Sequence, residues 1–267
     1  HTPAQFAALY NAFYHYIKGR DPSATVGVGG VVMVSEARLR WLQGVLDAYA
    51  ASHDGAPMPM DFWTIHEQIL GGAEYTSGNT TNWPVGIGVP LTGENEYHSW
   101  ECNKAGGPND LQQFKNDIIR FRQWMNQKGY RDKPLWISEY GVLGGDAYGC
   151  TQKVIGQYLV QTMDWLNTAT DAALGLPADE NRLVQRWLWY SMNDQPYNKD
   201  TGQGFAGAVY YHDSPVYPGA MTGVGRAFRD WVNAITPPGP TPTPTETRTP
   251  TVTPTPTATR TPLPPGS

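Results

Sequence analysis

Pro134-Leu135-Trp136-Ile137-Ser138-Glu139-Tyr140-Gly141-Val142 is the stretch whose reading decides the fold. Positions 135–139 are short, apolar and partly β-branched, and they end on a carboxylate. Such a run between two helical patterns reads as a buried parallel strand. Alternation along it places Leu135, Ile137 and Glu139 on one inward face, with Glu139 at the strand end, immediately before Tyr140-Gly141.

Working outward, the same alternation of helix and strand repeats on both sides. Phe114, Ile118, Phe121 and Met125 recur at helical spacing upstream, closed by Gly129. Val154, Tyr158, Leu159 and Trp165 mark a helix downstream. Strands are expected over 25–32, 60–66 and 186–191. Further helices are expected from Thr2, where Thr2-Pro3-Ala4-Gln5 makes a capping box, from Ser35, and over 224–235. Phe6, Leu9, Tyr10, Phe13 and Ile17 give the first helix one apolar face.

Strand–helix alternation implies a parallel sheet with helices outside, an α/β fold. About four strands are legible where a closed (β/α)8 barrel takes eight. The expectation is a partial TIM barrel, about strands 5–8 with their helices. The chain opens on His1 without an initiating Met, and a fragment or trimmed product is expected.

Two regions stand apart. The stretch 70–107 is a long loop rich in Gly, Asn and Thr, and long loops inside a domain are usually functional. Residues 236–267 are a run of Thr and Pro that cannot join a core. The domains are therefore 1–235, a folded unit, and 236–267, a disordered spacer. A spacer of this kind tethers an enzyme to a cell surface or to a further module. A tail with no tethering role is the alternative.

The net charge of -5 and the lack of a basic patch argue against nucleic acid as partner. No apolar stretch is long enough to span a membrane. Two cysteines, Cys102 and Cys150, are too few for a disulfide scaffold. One bridge in an exported protein and two free thiols both stay open. Ten Trp and 15 Tyr are a surplus for one domain, and a sugar-stacking cleft uses such rings.

Active sites of barrels lie at the C-terminal ends of the strands. Glu139 is placed there, and spacing alone leaves open a catalytic carboxylate or a surface glutamate in an ion pair. The segment 134–142 resembles the seventh strand of clan A glycoside hydrolases, the cellulase-like barrel enzymes. In these a strand ending in Thr/Ser-Glu-x-Gly carries the nucleophile. Asp61-Phe62-Trp63-Thr64-Ile65-His66 resembles their sixth strand, Trp187-Leu188-Trp189-Tyr190 their eighth, and 225–229 their closing helix. The resemblance covers residues 1–235.

It implies a secreted or cell-surface retaining glycosidase acting on β-linked glycans, with a polysaccharide or oligosaccharide substrate and no cofactor. Glu139 is then the nucleophile, and His66, Tyr140, Trp187 and Trp189 are candidates for binding substrate. A hydrogen-bonded core histidine and a core tryptophan are the alternatives for His66 and Trp189. Trp83, Tyr97 and Trp100 are candidates for outer subsites.

The family's acid/base, a Glu after Asn at the end of strand four, has no match at a strand end. Asn95 lies between Glu94 and Glu96 in the long loop. The expectation is that the acid/base is encoded upstream of His1. The resemblance also makes the loops of Cys102 and Cys150 neighbours, where a disulfide would brace the cleft.

Two other chemistries fail. His66-Glu67 lacks the second His, since position 70 is Leu, so no zinc-protease helix forms. Gly27, Gly29 and Gly30 lack the third glycine of a dinucleotide loop, position 32 being Val. No clustered metal ligands are seen. The rival function is non-catalytic carbohydrate binding or surface anchoring.

Overall fold

The computed structural model describes residues 2–32, 34–69, 108–142, 144–146, 149–198, 200–201, 204–212 and 219–235. Helices and strands alternate through them: α1 (Pro3–Arg20), β1 (Gly27–Val32), α2 (Glu36–Ser52), β2 (Phe62–Ile69), α3 (Pro108–Gln127), β3 (Leu135–Val142), α4 (Gln152–Thr168), β4 (Arg186–Trp189) and α5 (Gly223–Ile235). The four strands form one parallel sheet in the order β1-β2-β3-β4. This is the expected partial (β/α) barrel.

Local chemistry sets the helix starts. Thr2 Oγ1 accepts from the Gln5 amide at 3.2 Å, and Gln5 Oε1 accepts from the Thr2 amide at 2.9 Å. That is the reciprocal capping box its sequence predicts. Ser35 caps α2 through the Arg38 amide, and Thr151 caps α4 through the Val154 amide.

Burial follows the sheet. Val28, Trp63, Ile65, Leu135 and Ile137 are buried and face the helices. Trp63 meets Phe121, Trp124 and Tyr130 edge-on, with ring centres 5.9, 5.1 and 5.5 Å apart. Arg122 of α3 is fully buried beneath the sheet. Its guanidinium donates to the carbonyls of Leu183 and Lys133 and to Gln185 Oε1. The same Gln185 oxygen accepts the amide of Leu135 at 2.8 Å, so one arginine ties α3 to the start of β3 and the approach to β4.

Three expectations need correction. The apolar face of α1 is split: Ala7 and Tyr10 are buried, while Leu9, Phe13 and Tyr16 are 56, 56 and 61 % exposed. α1 packs on α2, and among the described residues β1 is an edge strand of the sheet. Next, β2 runs to Ile69 and β3 to Val142, past His66 and Glu139, because the pairing continues through Glu67–Tyr140 and Gln68–Gly141. Neither His66 nor Glu139 is the last residue of its strand.

The third correction concerns facing. Ile65 pairs with Ile137 but His66 pairs with Glu139, so Ser138 is an extra residue in β3. A bulge shifts every later side chain to the other face. Leu135 and Ile137 therefore face the helices, while Glu139 shares the inner face with Trp136. The long loop 70–107 and the Thr/Pro stretch 236–267 lie outside the described residues.

Candidate active site

The inner face near the C-terminal ends of β2, β3 and β4 carries His66, Gln68, Glu139, Gly141 and Tyr190. Gln68 Nε2 donates to Glu139 Oε2 at 3.0 Å. His66 Nδ1 lies 3.7 Å from the same oxygen, beyond hydrogen-bond range. Burial pushes the His66 imidazole below its ordinary value, against the pull of the Glu139 carboxylate. The ring is therefore neutral at pH 7, and the Glu139 side chain is 40 % exposed.

Two glycines make room for this arrangement. A Cβ on Gly30 of β1 would sit 2.7 Å from the His66 ring. One on Gly141 would sit 2.6 Å from the carbonyl of Tyr190. Tyr190 follows β4, and its amide donates to the Tyr140 carbonyl at 2.8 Å. Its hydroxyl donates to Asp194 Oδ2 at 3.1 Å. Burial first, then Asp194 and more distantly Glu139, raise the pKa of the phenol.

Of the residues expected at the site, Glu139 and His66 meet. Tyr140, Trp187 and Trp189 do not join them. The bulge turns Tyr140 to the helix side, where it is buried between Phe114 and Trp189. Trp189 pairs in register with Tyr140 and donates its Nε1–H to the Gly207 carbonyl at 2.7 Å. Trp187 packs against the main core. Both tryptophans serve packing, and neither forms a floor beside Glu139.

Gln68 and Tyr190 are the residues that sequence reading missed. Each continues an inward period of two, 64-66-68 and 186-188-190, beyond the point where the apolar pattern stops. Cys150 is buried and disulfide-bonded. Cys102, with Trp83, Tyr97, Trp100 and the Glu94-Asn95-Glu96 stretch, lies outside the described residues.

Glu67 sits next to His66 but points the other way, into the helix layer. It is 5 % exposed and its Oε1 makes no hydrogen bond. Burial, and then Asp117 of α3, hold its carboxyl well above the usual range, and Arg38 of α2 and Arg120 of α3 only partly oppose this. A raised carboxyl favours its protonated form in the fold. Its contribution to stability is thus full below the unfolded value, near 4.5, and is lost as pH rises through the folded one. Glu67→Gln is expected to melt at the same temperature as the parent at pH 4 and a few degrees higher at pH 8, read by circular dichroism.

No protein-family model matches the chain, and no curated protein is similar to it. Solved structures are. A glucosidase from Croceicoccus marinus aligns with a TM-score of 0.54 at 15 % identity, over 87 % of this chain and 36 % of its own. The fold is shared. An endo-β-1,3-glucanase from Sorangium cellulosum (TM-score 0.48, 14 % identity, 85 % of this chain and 62 % of its own) and a β-xylosidase from Caulobacter crescentus (0.47, 16 %, 86 % and 37 %) align more loosely. The chain spans little more than a third of the glucosidase and about three-fifths of the glucanase. Among the described residues no helix is long and apolar enough to cross a membrane.

Proposed function

We propose that this chain carries the nucleophile of a retaining glycoside hydrolase acting on β-linked glycans. One observation carries the reading: a β-bulge turns Glu139 onto the inner face at the C-terminal end of a parallel β/α sheet, where Gln68 holds one oxygen. Its other oxygen is then the one to attack the anomeric carbon. The glycosyl ester formed would be opened by water. The shared fold with a glucosidase supports this reading.

Gln68 orients the carboxylate through its amide. Neutral His66 offers a ring nitrogen to a sugar hydroxyl, and Tyr190 replaces the expected tryptophans as the aromatic wall. A retaining mechanism needs a second carboxylate about 5 Å from the first. The described contacts of Glu139 are Gln68 and His66. Among the described residues the sheet has four strands where a closed barrel takes eight. The acid/base carboxylate is assigned to a strand that closes the barrel. Secretion, a tether at 236–267 and a bridge from Cys102 to Cys150 belong to the same proposal.

The test is cleavage of β-glucan by the natural gene product, followed by proton NMR of the first anomer released. Initial release of the β-anomer supports the proposal. Initial α-anomer means inversion and removes Glu139 from the nucleophile's role. Binding of glucan with no release of reducing ends would favour the rival, a carbohydrate-binding protein.

A further inference from the structure

A second concavity opens on the same face, built by different residues. The described part of 191–212 folds back on itself: the carbonyls of Ser191, Met192 and Gln195 accept from the amides of Val209, Tyr210 and Phe205 at 3.1, 2.8 and 2.8 Å. Two side chains fasten it to the helices behind. Gln152 Nε2 donates to the Ala206 carbonyl at 3.1 Å, and Thr222 Oγ1 to the Ala208 carbonyl at 2.7 Å. With Gly145 and Asp146 after β3, this double-backed loop borders a half-open cavity of about 490 Å³. That is within the range of small-molecule sites, roughly 300–1,000 Å³.

Asp146, Asp194, Tyr197, Phe205, Tyr211 and His212 are among its lining residues. Tyr197 lies against Gly145, where a Cβ would come within 3.0 Å of the ring. Among the described residues the lining holds aromatic rings, carboxylates and an imidazole, and neither lysine nor arginine. Aromatic rings match the C–H face of a sugar, and carboxylates accept from its hydroxyls. The two carboxylates disfavour phosphate, nucleic acid and acidic sugars.

Tyr190 is the partition between the two sites. Its ring stands edge-on to Phe205, 5.2 Å between centres, and its hydroxyl binds Asp194. Both partners line the cavity, while Tyr190 itself neighbours Glu139 on the inner face. We propose that this cavity is a second sugar-binding position, which takes a neutral pyranose unit of the glycan whose cleaved bond lies at Glu139. The inference rests on the glycosidase reading, and it has its own test.

Isothermal titration of the natural gene product, with Glu139→Gln in every protein to stop turnover, uses β-1,3- and β-1,4-linked glucotetraose and the matching glucobioses as probes. At least one tetraose is expected to bind about tenfold more tightly than its biose, which is about 1.4 kcal/mol. Tyr197→Ala is expected to bring the tetraose down to the level of the biose. Asp146→Ala, at an exposed position, weakens the tetraose as well and serves if Tyr197→Ala fails to fold. Equal tetraose affinity in parent and folded variants, or no tetraose binding by the parent, overturns the inference. Cleavage by the natural gene product of an aryl β-glucoside, which reaches only the Glu139 site, decides the glycosidase reading separately.

Discussion

Glu139→Gln is expected to lower kcat for glycan cleavage by the natural gene product by about 10⁴-fold or more, as loss of a covalent nucleophile does. The substitution is nearly isosteric, and the amide oxygen still accepts from Gln68 Nε2. Melting temperature and glycan affinity should therefore stay close to those of the parent. The split between turnover and affinity is what identifies a nucleophile. A structural glutamate at a strand end would give the reverse, a lower melting temperature with turnover retained. Side-by-side kinetics and calorimetry of the two proteins make the comparison.

Arg122→Leu is expected to cost about 3–5 kcal/mol, the range for removing one partner from a buried charged network. Burial lowers the guanidinium to about 10, so it is still charged at pH 7. Its removal strands two buried carbonyls and frees Gln185, which also holds the first amide of β3. For a domain of this size one kcal/mol moves the melting temperature by about 2–4 °C, so a fall of about 10 °C is expected. Thermal unfolding followed by circular dichroism measures it. A fall under about 3 °C would mean that water replaces the guanidinium without loss. Arg122 lies beneath the sheet on α3, away from the inner face that carries Glu139.

The order of helices and strands was legible because each element announces itself locally. Thr2, Ser35 and Thr151 supply caps, Gly129 ends α3, and the apolar runs around Trp63 and Ile137 leave little choice but a buried strand. The inward placing of Glu139 was read from the sequence, but for a wrong geometric reason. Simple alternation from Leu135 puts it with Ile137, whereas those two side chains face opposite layers. Nothing in the residue types at 137–139 signals an extra residue, since a bulge is a property of the pair of strands. The faces misread for that reason are those of Leu135 and Ile137; Tyr140 and Trp189 were named from the resemblance alone, and both face the helix layer, paired in register.

Gln68 and Tyr190 were missed for a different reason. Strand ends were drawn where hydrophobicity stops, and polar residues at the C-terminal end of a barrel strand are where chemistry begins. Leu9 and Phe13 were misread in the opposite sense. Helical spacing declares an apolar face, but burial needs a neighbour, and among the described residues nothing covers Leu9 and Phe13.

The central claim is that Glu139 forms the covalent bond to sugar. A 2-deoxy-2-fluoro β-glucoside with a good leaving group slows opening of the glycosyl ester, so the ester accumulates. The measurement is mass spectrometry of the natural gene product after such labelling and proteolysis. A peptide containing residues 134–142 and carrying the added fluoroglucosyl mass on Glu139 is the predicted result. Label on another carboxylate, with Glu139 unmodified, would contradict it.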